Sequence, residues 1–192
     1  MLLTPKIQLA INKAAELHLN MVRKGDDMPY IIHPFTVAFI LSHYTSAENT
    51  ICAGLLHDVL EDVKGYGKAK MLKDFGQEIT DIVKEVSEDK DPNVATDEKA
   101  TWEDRKNKYL ANMQNDSQPA LMISCADKIH NLSCMIVAYK EQGEKLWDRF
   151  NSPKDKILWF YEEVCKILEQ RLDSEMVKEL RSLIDEAGEL FK

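Results

Sequence analysis

The ten residues ICAGLLHDVL, positions 51–60, constrain this chain most. Ile51, Cys52, Ala53, Gly54, Leu55, Leu56, Val59 and Leu60 cover every side of a helix, and a helix apolar all round must be enclosed by other elements. The rest of the chain therefore has to supply a surround. It also has to satisfy His57 and Asp58, which stand in the same run, because a buried carboxylate is costly unless it is paired or bound to a cation.

The surround reads as helical. With 7 glycines and 6 prolines in 192 residues, punctuation is sparse, strand-like alternation is scarce, and apolar residues recur three and four apart. Thr4-Pro5 starts a helix that the stripe Ile7, Ala10, Ile11, Ala14, Leu17 and Met21 carries to about residue 24. His33-Pro34 opens a second helix, to about Tyr44, and Ser46 is the expected cap of the third, which holds the apolar run. Phe75-Gly76 ends a short helix before another over 77–86. SEDKDPNVATDE is the most polar stretch and reads as a loop. Helices are then expected over 98–114, 119–141, 144–150, 153–171 and 174–190. No repeat or linker divides the chain, and its length suits one core. The expectation is an all-α, single-domain helical bundle, with residues 5–142 around the polar motif and 144–192 packed on them. The aromatics Trp147, Phe150, Trp159, Phe160 and Tyr161 are expected to be core packing.

Several functions are disfavoured. A net charge of −8 argues against a nucleic-acid partner, since phosphate backbones call for basic surfaces. No apolar run reaches the roughly 18 residues of a membrane span, and MLLTPKIQ does not read as a signal peptide. A cytoplasmic protein with no membrane partner is expected. Cys52, Cys125, Cys134 and Cys165 form no CxxC pair and read as reduced cysteines.

The polar end of the apolar run is LLHDVLED. In a helix, residues four apart share a face, so His57 lies beneath Glu61 and Asp58 beneath Asp62. A cation held by His57 and Asp58 would have Glu61 and Asp62 one turn away, the layout of a hydrolytic metal site. HD alone is common, so further ligands must come from elsewhere. His33 in PYIIHPF and Asp127 in LMISCADKIHNL both stand in apolar surroundings. Asp127 shares a face with Asn131, while Lys128 and His130 are expected to point elsewhere. Two histidines and two aspartates suit manganese, iron or zinc better than calcium, and the lack of thiolates argues against structural zinc.

His33, then His57-Asp58, then Asp127 resembles the H…HD…D pattern of the HD superfamily of metal-dependent phosphohydrolases. The words Arg23-Lys24-Gly25, PYIIHP, LLHDVLED, Phe75-Gly76 and ADKIHN are similar to the hydrolase domain of the RelA/SpoT alarmone enzymes. That resemblance covers about two-thirds of the chain. It implies an all-helical hydrolase with one divalent cation, typically manganese. The implied substrate is a small phosphorylated nucleotide, guanosine 3′-diphosphate 5′-di- or triphosphate, cleaved at its 3′ pyrophosphate. His33, His57, Asp58 and Asp127 match the metal ligands, Glu61 and Asp62 the acidic pair beside the catalytic water, and Arg23 and Asn131 substrate contacts; Lys24 is a further candidate phosphate or base contact. After Val86 the words diverge from those of the long enzymes, with Lys90, Arg105 and Lys106 as the cations available. Two other readings fit the same residues: an HD phosphohydrolase for another nucleotide or phosphate ester, and a non-catalytic metal or nucleotide sensor. Nothing in the sequence specifies an oligomeric state.

Overall fold

A computed structural model of the chain describes residues 3–23, 28–88, 97 and 99–192. Thr4 Oγ1 accepts a hydrogen bond from the Ile7 amide at 3.2 Å and Pro5 occupies the first turn of α1 (Pro5–Leu17), as the capping signal predicts. The helix stops seven residues short of the expected end. Asn20 takes a left-handed conformation, φ 66°, and the chain turns into a short bridge, Val22 to Pro29. His18 Nδ1 lies 3.4 Å from Met21 Sδ across this turn.

Next come α2 (Ile32–Tyr44), α3 (Glu48–Leu56), α4 (Val59–Asp62) and α5 (Lys68–Val86). Ser46 does not cap α3. Ala47 is the cap residue, and its amide donates to Thr45 Oγ1 at 3.1 Å. Gly54 lets α2 approach closely: a Cβ there would lie 2.3 Å from Leu41 Cδ1. The single helix expected to carry LLHDVLED divides at His57 and Asp58. The His57 ring donates from Nδ1 to Gly54 O at 2.8 Å, a carbonyl that an uninterrupted helix would offer to the Asp58 amide. Gly76 breaks α5 as expected, at φ 82° and ψ 178°, a conformation open essentially to glycine alone.

The second half comprises α6 (Trp102–Met113), α7 (Gln118–Gln142), a 3₁₀ segment (Gly143–Arg149), α8 (Lys154–Arg171) and α9 (Glu175–Leu190). Most of SEDKDPNVATDE, with Lys90, lies outside the described residues, as does Lys24. The fold is all-α: among the described residues the only β feature is the isolated Val22–Pro29 bridge. Helix α7 is the axis, with α2, α3, α5, α8 and α9 packed around it. With the 3₁₀ segment it is long and apolar on average, although Asp127 and Lys128 interrupt the run, and 67% of its most apolar stretch is buried inside the fold. One cluster of buried apolar side chains runs from Ile7 to Phe191, so the C-terminal helices share the core of the rest. Phe160 and Tyr161 are buried as expected, whereas Trp159 is 38% exposed.

Candidate metal and phosphoester site

Three helical regions, far apart in sequence, bring their polar residues to one point. His33 comes from the first turn of α2, His57 and Asp58 from the break between α3 and α4, and Asp127 from the middle of α7. His33 Nε2 lies 3.2 Å from His57 Nε2, 3.4 Å from Asp58 Oδ2 and 3.1 Å from Asp127 Oδ1. His57 Nε2 lies 3.1 Å from Asp58 Oδ2 and 3.9 Å from Asp127 Oδ1. Atoms bound to one cation at about 2.0–2.2 Å stand this far from one another. The ligand atoms of His33, His57 and Asp58 all lie within 4.8 Å of one another, and Asp127 Oδ1 approaches both histidines.

The electrostatics fit a cation. Burial by itself would lower the His57 pKa, but the charge of Asp58 and its hydrogen bond, with Asp127 behind, push it up to about 9. Burial would likewise raise Asp58, yet His57 and His33 hold it well below the usual carboxylate range. Asp127 is also held ionised: against burial act the Lys128 charge, then the hydrogen bond and charge of His33. Asp58 and Asp127 stay charged although largely enclosed, and a cation would displace the proton of His57 and take the lone pair it leaves. The donor set therefore fits one divalent cation.

The acidic pair lies alongside. Tyr30 Oη donates to Asp58 Oδ2 at 2.6 Å and is 3.2 Å from Asp62 Oδ2, so one phenol spans a candidate ligand and a candidate proton acceptor. Burial first, then Asp58 and Asp62, keep that phenol protonated far above its ordinary range. Glu61 Oε2 accepts from the Glu88 amide at 3.1 Å. The Val22–Pro29 bridge sets the position of Tyr30 and brings in Arg23, whose Nη2 donates to Asn131 Oδ1 at 3.3 Å. Asn131 Nδ2 in turn donates to Asp127 Oδ1 at 2.6 Å. The sequence candidates other than Lys24 thus gather at one site.

Three residues at the site escaped the sequence reading. Lys128 pairs with Asp127 Oδ2 and sits over the rings of Tyr109 and Phe160, 5.3 and 5.7 Å from their centres. His130 Nδ1 lies 2.7 Å from His33 Nδ1. Tyr30 stood within a quoted motif without a role. In a helix enclosed on all sides, no face points away from the structure, and a flexible lysine reaches round to its neighbour.

All of this opens into a cavity of about 560 Å³, within the range of small-ligand sites. Its lining holds five carboxylates, Asp58, Glu61, Asp62, Glu88 and Asp127, and three cationic side chains, Arg23, Lys106 and Lys128. Arg105 and Lys106, from the word that diverges from the long enzymes, both grip Glu88. The lining also includes the apolar and aromatic side chains Met135, Ala138, Leu146, Phe150 and Tyr161.

A helical domain with a His–Asp donor ring lining a cavity of mixed polarity defines a class: all-α proteins able to hold a metal beside acidic groups. The chain belongs to the HD domain family, whose model matches residues 10–152. Among curated relatives, guanosine-3′,5′-bis(diphosphate) 3′-pyrophosphohydrolase MESH1 of Xenopus tropicalis is 38% identical over 127 residues, covering 64% of this chain and 65% of its own. A "GTP pyrophosphokinase" of Streptomyces coelicolor is 36% identical over 73% of this chain, which spans 16% of that relative. A solved structure described as a metazoan ortholog of SpoT that hydrolyzes ppGpp superposes with a TM-score of 0.78 at 25% identity, covering 98% of both chains. The chain thus spans about two-thirds of one relative and a small part of the other.

Proposed function

We propose that this chain is a metal-dependent phosphohydrolase that cleaves the 3′ pyrophosphate of guanosine 3′-diphosphate 5′-di- or triphosphate. The reaction consumes one water and yields pyrophosphate with GDP or GTP. The observation that carries this reading is the convergence of His33, His57, Asp58 and Asp127 beside Glu61 and Asp62. The choice of nucleotide is supported by the named activity of MESH1 and of the superposed SpoT ortholog.

In this reading His33, His57, Asp58 and Asp127 hold one divalent cation, for which we propose manganese. When bound, such a cation supplies Lewis acidity, lowering the pKa of water and polarising a phosphoryl oxygen. Glu61 and Asp62 orient the attacking water and accept its proton, with Asp62 kept in place by the Tyr30 hydroxyl. Arg23 and Asn131 engage the nucleotide, Lys24 is a further contact, and Lys106 and Lys128 face phosphate charge from the cavity wall. We read the chain as one catalytic domain. We place it in the cytoplasm, in keeping with its buried thiols Cys52, Cys125 and Cys165.

The test is release of pyrophosphate from ppGpp by purified protein with manganese, beside a panel of other nucleotides and phosphate esters. Turnover of ppGpp, lost in Asp58→Ala, is expected. Turnover of a different panel member alone would replace the substrate and keep the site. Metal uptake with no turnover of any phosphoester would make the chain a sensor.

A further inference from the structure

We infer that His130 is a positioning residue that fixes which nitrogen His33 presents to the cation. This rests on the reading of His33 as a metal ligand. A neutral imidazole carries one N–H and one lone pair. For Nε2 to act as ligand, the proton must sit on Nδ1, and Nδ1 then needs an acceptor. His57 has one in its own helix, the Gly54 carbonyl at 2.8 Å. His33 Nδ1 instead meets His130 Nδ1 at 2.7 Å. The ring centres are 5.0 Å apart and the planes 18° apart, so the rings meet edge to edge and nearly coplanar, and both residues are buried, 3% and 8% exposed.

Two nitrogens at that distance share one hydrogen. If His33 donates, His130 Nδ1 holds the lone pair and its proton lies on Nε2. That nitrogen is 3.4 Å from Cys134 Sγ, and sulfur is a weak acceptor. The order Nε2–H to sulfur, then Nδ1–H to Nδ1, leaves His33 Nε2 bare toward the donor ring. The site's own carboxylates favour the opposite arrangement. Asp127 Oδ1 at 3.1 Å and Asp58 Oδ2 at 3.4 Å would both welcome a proton on His33 Nε2, which would block it as a ligand. His130 supplies the opposing pull. It stands one turn along α7 from Asp127, so the helix that contributes one candidate ligand also orients another.

The amide of asparagine reaches the place of Nδ1, and that of glutamine the place of Nε2. His130→Asn therefore retains an acceptor for His33, whereas His130→Gln places its amide on the Cys134 side and His130→Leu offers His33 no acceptor. Manganese affinity, measured by competition with a fluorescent chelator, is expected to stay close to wild type in H130N and to weaken about 10–100-fold in H130Q and H130L. Metal-free melting temperatures report whether each variant folds, and the H130N–H130Q pair decides should H130L fail to fold. Equal affinity in H130N and H130Q, or a folded H130L that binds as wild type does, overturns the assignment. Wild-type protein that takes up no manganese, cobalt or zinc removes the metal-ligand reading itself, a result separable from the first two.

Discussion

Asp58 and Asp62 share a hydrogen-bond donor, Tyr30, although the proposed reaction gives them different work. Substitution should separate these roles. Asp58→Ala removes a ligand and is expected to abolish both manganese binding and hydrolysis. Glu61→Gln and Asp62→Asn keep the donor ring, so they should bind manganese normally while kcat falls about 10²–10⁴-fold, the usual worth of a positioned proton acceptor. Stopped assays beside metal titrations check this; normal turnover in both amide variants would remove the pair from the chemistry. The ring itself was legible in the sequence, because His33, His57, Asp58 and Asp127 are polar residues in apolar words and need a common reason to be there. Tyr30, Lys128 and His130 were not. Periodicity assigns faces within one helix, but their roles depend on what the packing brings opposite, as when α2 sets His33 against His130 on α7.

Among the helices, glycine and loop chemistry set the boundaries. The Phe75-Gly76 stop was readable because only glycine fits the angles found there; the early end of α1 was not, since Asn20 carries no comparable compulsion. Gly76→Ala should destabilise the fold by about 1–3 kcal/mol, measured by urea unfolding, and an unchanged midpoint would contradict the strain. The α6–α7 loop offers a pH test. Arg171 Nη1 and Nη2 donate to the carbonyls of Met113 and Asp116 at 2.6 and 2.9 Å, yet Asp116 Oδ2 is buried with no hydrogen-bond partner. Burial, then the charge of nearby Glu85, raises its pKa from 3.8 to about 6. The folded state therefore holds this proton more tightly than the unfolded chain does. The Asp116 contribution to stability is full below pH 4 and is lost as pH rises through 6, on the order of 1–2 kcal/mol once solvent screening is allowed for. Asp116→Asn removes that loss, so its advantage over wild type should grow between pH 4 and 7.5. A pH-independent difference in unfolding free energy would count against this account.

At the scale of the whole molecule, a ligand that binds only the native state adds to its stability. Manganese at a hundred times its dissociation constant should contribute about 2.7 kcal/mol, which for a chain of this size raises Tm by about 5–10 °C. Chelation should reverse the shift, and Asp58→Ala should show none. Calorimetry with and without EDTA reads all three. The donors converge from α2, the α3–α4 break and α7, with the two histidines 24 positions apart and a far longer span to Asp127. No short piece of the chain holds the set, so the unfolded polypeptide has little means of competing for the ion. A bound cation would then act as a reversible staple between distant parts of the chain, with some of the thermodynamics of a disulfide and none of its need for an oxidising compartment.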